Sequence, residues 1–329
     1  MKAVAHDLQP LPMAGFLARL LPCLAFLLLP AGMPGFAHAA GVPQPEQLAP
    51  DVYAVIGDTA PAAPANRGIV GNAGILVGPG GVILIDTGTS ARQARQLLDD
   101  VRRITAKPVV LAINTHQNPA FVFGNSTLRD AGIPTLAHDA TAALIGERCL
   151  RCLKLLTEAL GAAEMEGTKV VRPVLTVSQS TTITAGGRTI DLLYYGPTSA
   201  PGSIAVYDRE SRTLFGGGLV SLDRIPDAKD ADLGQWRAAL SSLQALGAAR
   251  VVPGEGPVSA VSRLAELDGY LARLGPAVSA AYGRGVSLGE AAGAAPLPSY
   301  SHWAQYGNMH GKNVEQLYLR LEKRALNAP

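Results

Sequence analysis

Apolar and polar positions alternate through Asp51–Gly57, "DVYAVIG", a period of two that predicts a half-buried strand. Two short apolar runs, "NAGILVG" and "GVILIDTG", flank "PGG" and read as a hairpin. The period then lengthens. In "SARQARQLLDDVRRIT", Ala94, Leu97, Leu98 and Val101 share one helical face, Arg and Asp lie opposite, and Ser90 stands at the N-cap position. "KPVVLAINTH" is a buried strand, "IPTLAHD" a shorter one, and the chain from Ala140 to about Leu160 is helical.

The second half repeats this logic. "PVLTVSQSTTITAGGRTIDLLYYG" holds two or three β-rich runs, with a turn at Gly186 and Gly187. "GSIAVYDRESRTLFGGGLV" is a hairpin around "DRESR", and "DLGQWRAALSSLQAL" is a helix with Trp236, Leu240 and Leu243 on its apolar side. "ARVVPGEGPVS" is a strand ending in a Gly-rich loop, and helices fill much of the remainder to "NVEQLYLRLEKRAL". Strands in each half with helices to cover them imply a layered α/β sandwich.

Composition adds three constraints. A net charge of +2 over 329 residues points to no nucleic-acid partner. The leading residues read as a signal peptide over 1–39. Lys2 and Arg19 precede "LAFLLLPAG", and small residues at Ala37 and Ala39 suit a cut after Ala39, with Met13 as an alternative start. Pro22, Pro30 and Pro34 break the apolar run well short of the roughly 20 residues a membrane span needs, so no stable span is expected in the mature form, which is placed in the periplasm. In that oxidising compartment Cys149 and Cys152, one helical turn apart in "ERCLRCLKLL", are expected to form a structural disulfide; a redox-active pair is the alternative.

The ordered loops "GVILIDTG", "INTHQNPAFVFGN", "YYGPTSAPGS", "TLFGGGLV" and "VVPGEGP" resemble the metallo-β-lactamase superfamily. "FVFGN", "EGTKVVRP", "DRIPDAK", "LGQW", "AARVVPGEGPVSA" and "HGKNVEQLY" are similar to its periplasmic quinoprotein relay system zinc metallohydrolases. The resemblance implies a four-layer αββα sandwich, with metals held where loops leave the strand ends. It divides the chain into the signal peptide, an N-terminal linker over 40–50, a metallo-β-lactamase-like domain over 51–260, and a C-terminal helical extension over 261–329 packed on it.

The family's His-x-His-x-Asp-His run falls here on His116, Asn118, Ala120 and Phe121; its later histidine falls on Ser199, its bridging aspartate on Gly218, and its last histidine on Glu255. Zinc needs three or four N, S or O side chains converging at about 2.0–2.3 Å. One position would draw on His116, Asn118 and Ser199, the other on Ala120, Phe121 and Glu255. Phe121 would set an apolar ring where a hydrated ion should sit. Ala120 removes the carboxylate that orients the attacking water, and without a metal that water is a poor nucleophile at neutral pH. Asp86 matches a position that orients the ligand loop, and His116 without partners reads as a hydrogen-bonded loop histidine. Asn118 and Asn125 read as turn residues, and His310 as a cap for the last helix.

These residues point to a zinc-free, non-catalytic homologue with no cofactor expected. It would be a binding or accessory protein for a periplasmic quinoprotein dehydrogenase or its cytochrome. The competing reading is a metal-dependent hydrolase with a rearranged site built on His116, Asn118 and Glu255. A Ser199–His116–Asp86 relay is a third arrangement, although no nucleophile elbow surrounds either Ser199 or Ser203.

Overall fold

The computed structural model describes residues 42–327. The signal peptide expected over 1–39 lies outside the described residues. Among the described residues no helix is long and apolar enough to cross a membrane.

Seven strands run in chain order across one sheet: β1 (Glu46–Ala49), β2 (Val52–Val55), β3 (Ala73–Gly78), β4 (Gly81–Ile85), β5 (Val109–Ile113), β6 (Thr135–His138) and β7 (Leu175–Val177). The first four pair antiparallel, β1 to β2 and β3 to β4 through tight turns and β2 to β3 through the long loop over 56–72. From β4 onward the pairing is parallel, because each return crosses a helix, first α1 (Ala91–Ile104). Ser90 caps α1, its Oγ accepting the Gln93 amide at 3.1 Å. The second sheet holds β8 (Thr181–Ala185), β9 (Arg188–Tyr194), β10 (Ile204–Asp208), β11 (Thr213–Ser221) and β12 (Arg250–Glu255), in the order β12-β11-β10-β9-β8.

Side-chain alternation sets the layers. On β3 and β4, Leu76, Ile83 and Ile85 point inward, where they meet Ile190, Leu192, Val206 and Phe215 of the other sheet. Their neighbours Ile75, Val77, Val82 and Leu84 point outward onto Leu98 and Val101 of α1. The outer face of the second sheet, with Leu214, Leu219 and Val251, is covered by α6 (Leu233–Ala245) and α7 (Leu264–Gly283). The Trp236 indole N–H donates to the Leu219 carbonyl at 2.8 Å and fastens α6 to β11. The result is helix, sheet, sheet, helix. Two further helices, α8 (Leu288–Ala294) and α9 (Gly311–Leu326), add Ala291, Val314 and Tyr318 to the same core.

Between β5 and β7 lie α2 (Pro119–Val122), α3 (Asn125–Asp130), α4 (Asp139–Leu160) and α5 (Ala162–Met165). Here three sequence expectations need correction. Residues 40–50 read as a loose linker, yet Glu46–Ala49 form β1; Asp51 adopts φ 60° and turns the lead back onto the edge of β2. Cys149 and Cys152 are free thiols rather than a disulfide. They sit inside the regular helix α4, where Cβ atoms three residues apart are about 5–6 Å from one another. A disulfide needs about 3.5–4.5 Å, so closing it would bend the helix. A strand, β6, does run straight into α4, but both thiols lie well beyond the helix N-terminus. Finally, Asn125 is no exposed turn residue. Fully buried, it accepts from the Thr87 hydroxyl at 2.9 Å and donates to Asn114 Oδ1 at 2.7 Å and the Val171 carbonyl at 3.1 Å.

Asn125 thus ties the loop after β4, the end of β5 and the lead into β7. Replacing it with Ala strands Asn114 Oδ1 and the half-buried Val171 carbonyl, while the Thr87 hydroxyl keeps the Phe121 carbonyl at 3.1 Å; each stranded group costs about 1–3 kcal/mol. Urea denaturation of Asn125→Ala is expected to show a loss of roughly 3 kcal/mol with an unchanged slope.

Candidate functional site

Segments at the ends of β5, β9, β11 and β12 converge on one cavity of about 120 Å³. Its wall includes His116, Asn118, Phe121, Ser199, Gly218 and Glu255, six of the positions singled out from the sequence. Ala120 lies behind this wall in α2, its amide donating to Asn118 Oδ1 at 3.0 Å. Asp86 lies beneath it, at the end of β4.

Asp86 is fully buried and adopts φ 61°, the left-handed region that a non-glycine residue seldom enters. The Thr115 amide donates to Asp86 Oδ1 at 2.8 Å and the Thr115 hydroxyl to Oδ2 at 2.8 Å. That hydroxyl also lies 2.9 Å from His116 Nδ1. Burial pushes the Asp86 carboxyl up to about 8, against the pull of the two Thr115 hydrogen bonds, and presses the His116 imidazole down to about 3. Thr115 has one hydroxyl proton, so the state of Asp86 selects the tautomer of His116. When Asp86 is ionised, Thr115 donates to it, His116 donates from Nδ1, and Nε2 is left bare. When Asp86 is protonated, Thr115 donates to Nδ1 and the ring proton moves to Nε2. Thr115 stands between the other two residues, and the Ser199 hydroxyl donates to Ser203 at 2.9 Å. The Ser199–His116–Asp86 relay is therefore not assembled.

Phe121 packs its ring on His116 with centroids 4.4 Å apart. Gly71 makes room behind it: a Cβ there would come 2.7 Å from the ring. Gly218 does the same for the imidazole, since its Cβ would come 2.7 Å from His116 Cγ and Cδ2. The space that a bridging carboxylate would cross is filled by the histidine itself.

Glu255, at the end of β12, lies 3.1 Å from Arg224 Nε. Burial raises its pKa, Arg224 opposes that rise and Asp227 adds to it. Arg224 is 7% exposed, and its Nη1 donates to the carbonyls of Thr59 at 2.5 Å and Ala60 at 2.9 Å. Arg224 is not among the positions expected from the sequence, and neither are Gln117, Asp227, Asp230 and Met309, which also line the cavity. The available signal was an arginine set directly before "IP" and after the apolar end of β11. The rim that carries it is held from the C-terminal helix. Asn313 accepts the Ala228 amide at 2.9 Å and donates to the Pro226 carbonyl at 2.8 Å, and Arg320 donates to the Ala231 and Ala228 carbonyls at 2.6 and 2.9 Å. Asp230 of the rim pairs with Arg148 of α4 at 2.6 Å. His310 does not cap α9; its ring nitrogens meet the Ala295 carbonyl at 2.9 Å and the Tyr270 hydroxyl at 3.2 Å.

The profile of the metallo-beta-lactamase superfamily matches residues 66–255. The chain belongs to that superfamily. A linear primary-alkylsulfatase from Pseudomonas sp. is 26% identical over 231 residues, which cover 59% of this chain and 43% of that protein. The chain therefore spans less than half the length of this curated relative. Among solved structures, a metallo-beta-lactamase from Pontibacter korlensis is 24% identical with a TM-score of 0.57, covering 70% of this chain and 98% of its own. Another from Hirschia baltica is 20% identical with a TM-score of 0.56, over 70% and 98%. At these identities the structures establish the metallo-β-lactamase fold alone.

The superfamily name implies zinc, and the donors present do not fit it. Among the described residues, no three His, Cys, Asp or Glu side chains converge. Asn118 Oδ1 and the Ser199 hydroxyl are already engaged in hydrogen bonds. Glu255 has a guanidinium beside it. Two like charges about 4 Å apart repel by about 4 kcal/mol at an effective dielectric of 20, and a dication would feel twice that from Arg224.

Three outcomes follow from this geometry. Gly218→Asp restores the bridging carboxylate by type, yet its Cβ collides with the imidazole, and overpacking of this kind costs about 1–3 kcal/mol. It should lower the urea midpoint without conferring zinc binding by equilibrium dialysis. The His116 imidazole should stay neutral between pH 8 and 5, so its ring nitrogens should show no imidazolium signal in nitrogen-15 spectra, although protonation of Asp86 moves the ring proton between them. Because the folded pKa of His116 lies near 3, below the ordinary 6.5, the stability from keeping it neutral is full above pH 6.5 and drains as pH falls toward 3. Denaturation of His116→Gln across that window should show a shallower acid loss than the native chain.

Proposed function

We propose that this metallo-β-lactamase-fold protein uses its pocket for binding, not for zinc-assisted hydrolysis. The observation that carries this reading is the replacement of both halves of the metal site by mutually packed protein groups. Phe121 packs its tilted ring against His116 on one side, and Arg224 pairs with Glu255 on the other. The hydrolase alternative needs His116 and Glu255 to share a cation. Both line the same cavity, but Glu255 already has its counter-charge in Arg224 and the imidazole has a phenyl ring against it.

The loop strings similar to the quinoprotein relay metallohydrolases support an accessory role beside a periplasmic quinoprotein dehydrogenase or its cytochrome. The curated relative is named as a sulfatase, and that activity is said of that protein. The fold alone carries no substrate across.

The test is zinc stoichiometry of the purified full chain after supplementation and desalting, measured by atomic emission. Well below one equivalent is expected, unchanged in His116→Ala. One equivalent, lost in that variant, overturns the reading.

A further inference from the structure

The cavity has an imbalance between donors and acceptors that bears on what it binds. Its carboxylates are all engaged: Glu255 with Arg224 at 3.1 Å, Asp230 with Arg148 at 2.6 Å, and Asp227 Oδ1 with the Lys229 amide at 2.8 Å. Its donors are not. Arg224 uses Nη1 on two carbonyls, while Nη2 makes no hydrogen bond among the described residues. Arg224 Nε is buried without a hydrogen-bond partner, because Glu255 lies close enough to pair electrostatically but off the N–H axis. Across the cavity, Asn118 spends Oδ1 on the Ala120 amide, which leaves its Nδ2 with no protein acceptor among the described residues.

A guanidinium that is more than nine-tenths buried, with Nη2 making no hydrogen bond among the described residues and Nε held only by the off-axis ion pair with Glu255, is under-satisfied. Those two donors form the fork that matches two oxygens of one oxyanion. Resting on the metal-free reading above, we propose that the pocket is an oxyanion site. Arg224 supplies its fixed cation, Asn118 a second donor, and the ligand is a small carboxylate or sulfate group. The fold holds an anion here through a built-in guanidinium. Glu255 keeps that guanidinium seated in the absence of ligand and competes with the ligand for it. The volume of about 120 Å³ admits the anionic head of a molecule, with the remainder outside the pocket.

The test is titration calorimetry of the chelator-treated full chain with sodium sulfate and with sodium acetate, each against sodium chloride at matched ionic strength. Saturable binding of either anion above the chloride baseline is expected, and the stronger of the two tells a tetrahedral from a planar preference. Glu255→Gln frees the guanidinium and should tighten binding several-fold. The double variant Arg224→Gln/Glu255→Gln removes both charges together, leaves no orphaned ion, and should weaken binding by at least about tenfold. Asn118→Ala should weaken it by about threefold, with circular dichroism confirming each fold. The proposal is overturned if neither anion exceeds chloride, if Glu255→Gln weakens binding, or if the folded double variant binds like the native chain. Binding that appears only after zinc is added and tracks bound zinc would overturn both this site and the metal-free reading. Absence of binding in a zinc-free protein would overturn this site alone.

Discussion

A carboxylate taken out of water at the end of a strand needs a cation beside it, and in this chain the cation is Arg224. Glu255 ends β12, buried enough that its pKa rises, and the guanidinium stands 3.1 Å away. Much of the site can be read as support for that pair. Two loop carbonyls, from Thr59 and Ala60, fix the guanidinium from the far side. The Ser221 hydroxyl donates to the Arg224 carbonyl at 3.0 Å and holds its backbone against the end of β11. A buried ion pair is seldom strongly stabilising, because desolvation offsets the attraction. What it does supply is a fixed charge at a fixed place.

The other half of the site is a matter of volume. His116 lies against Gly218 and Phe121 against Gly71, each at a distance that a Cβ would not tolerate. The ring and the imidazole then touch each other. These fits are reciprocal: the glycines admit the rings, and the rings fill the space that ligands or a bridging carboxylate would need. Beneath them the Asp86–Thr115 bonds hold the end of β5, so the imidazole is positioned from below as well as packed from the side.

The C-terminal helices belong to this account because they set the rim. Asn313 and Arg320 of α9 bind the backbone of residues 226–231, and that segment follows Arg224 directly. Arg148 of α4 holds the same segment through Asp230. The rim is thus tied to two helices on separate parts of the fold.

The alternation along β3 and β4, the amphipathic period of α1 and the loss of N and O donors at the aligned loop positions could all be read from the sequence. Each depends on neighbours in the chain or on residue type alone. The Ser90 cap was legible for the same reason. Other features were decided only by tertiary structure. Arg224 and Glu255 come from different strand ends, and no local pattern joins them. Asn125 has the composition of a turn, yet three partners from distant segments bury it. The cysteine spacing suggested a bond that a regular helix keeps open, since helical rise, not compartment, sets the distance between the sulfurs' carbons. Short-range periodicity determines which face of an element is apolar. Which charges meet where the sheets end depends on how those elements pack, and that information is spread across the whole chain.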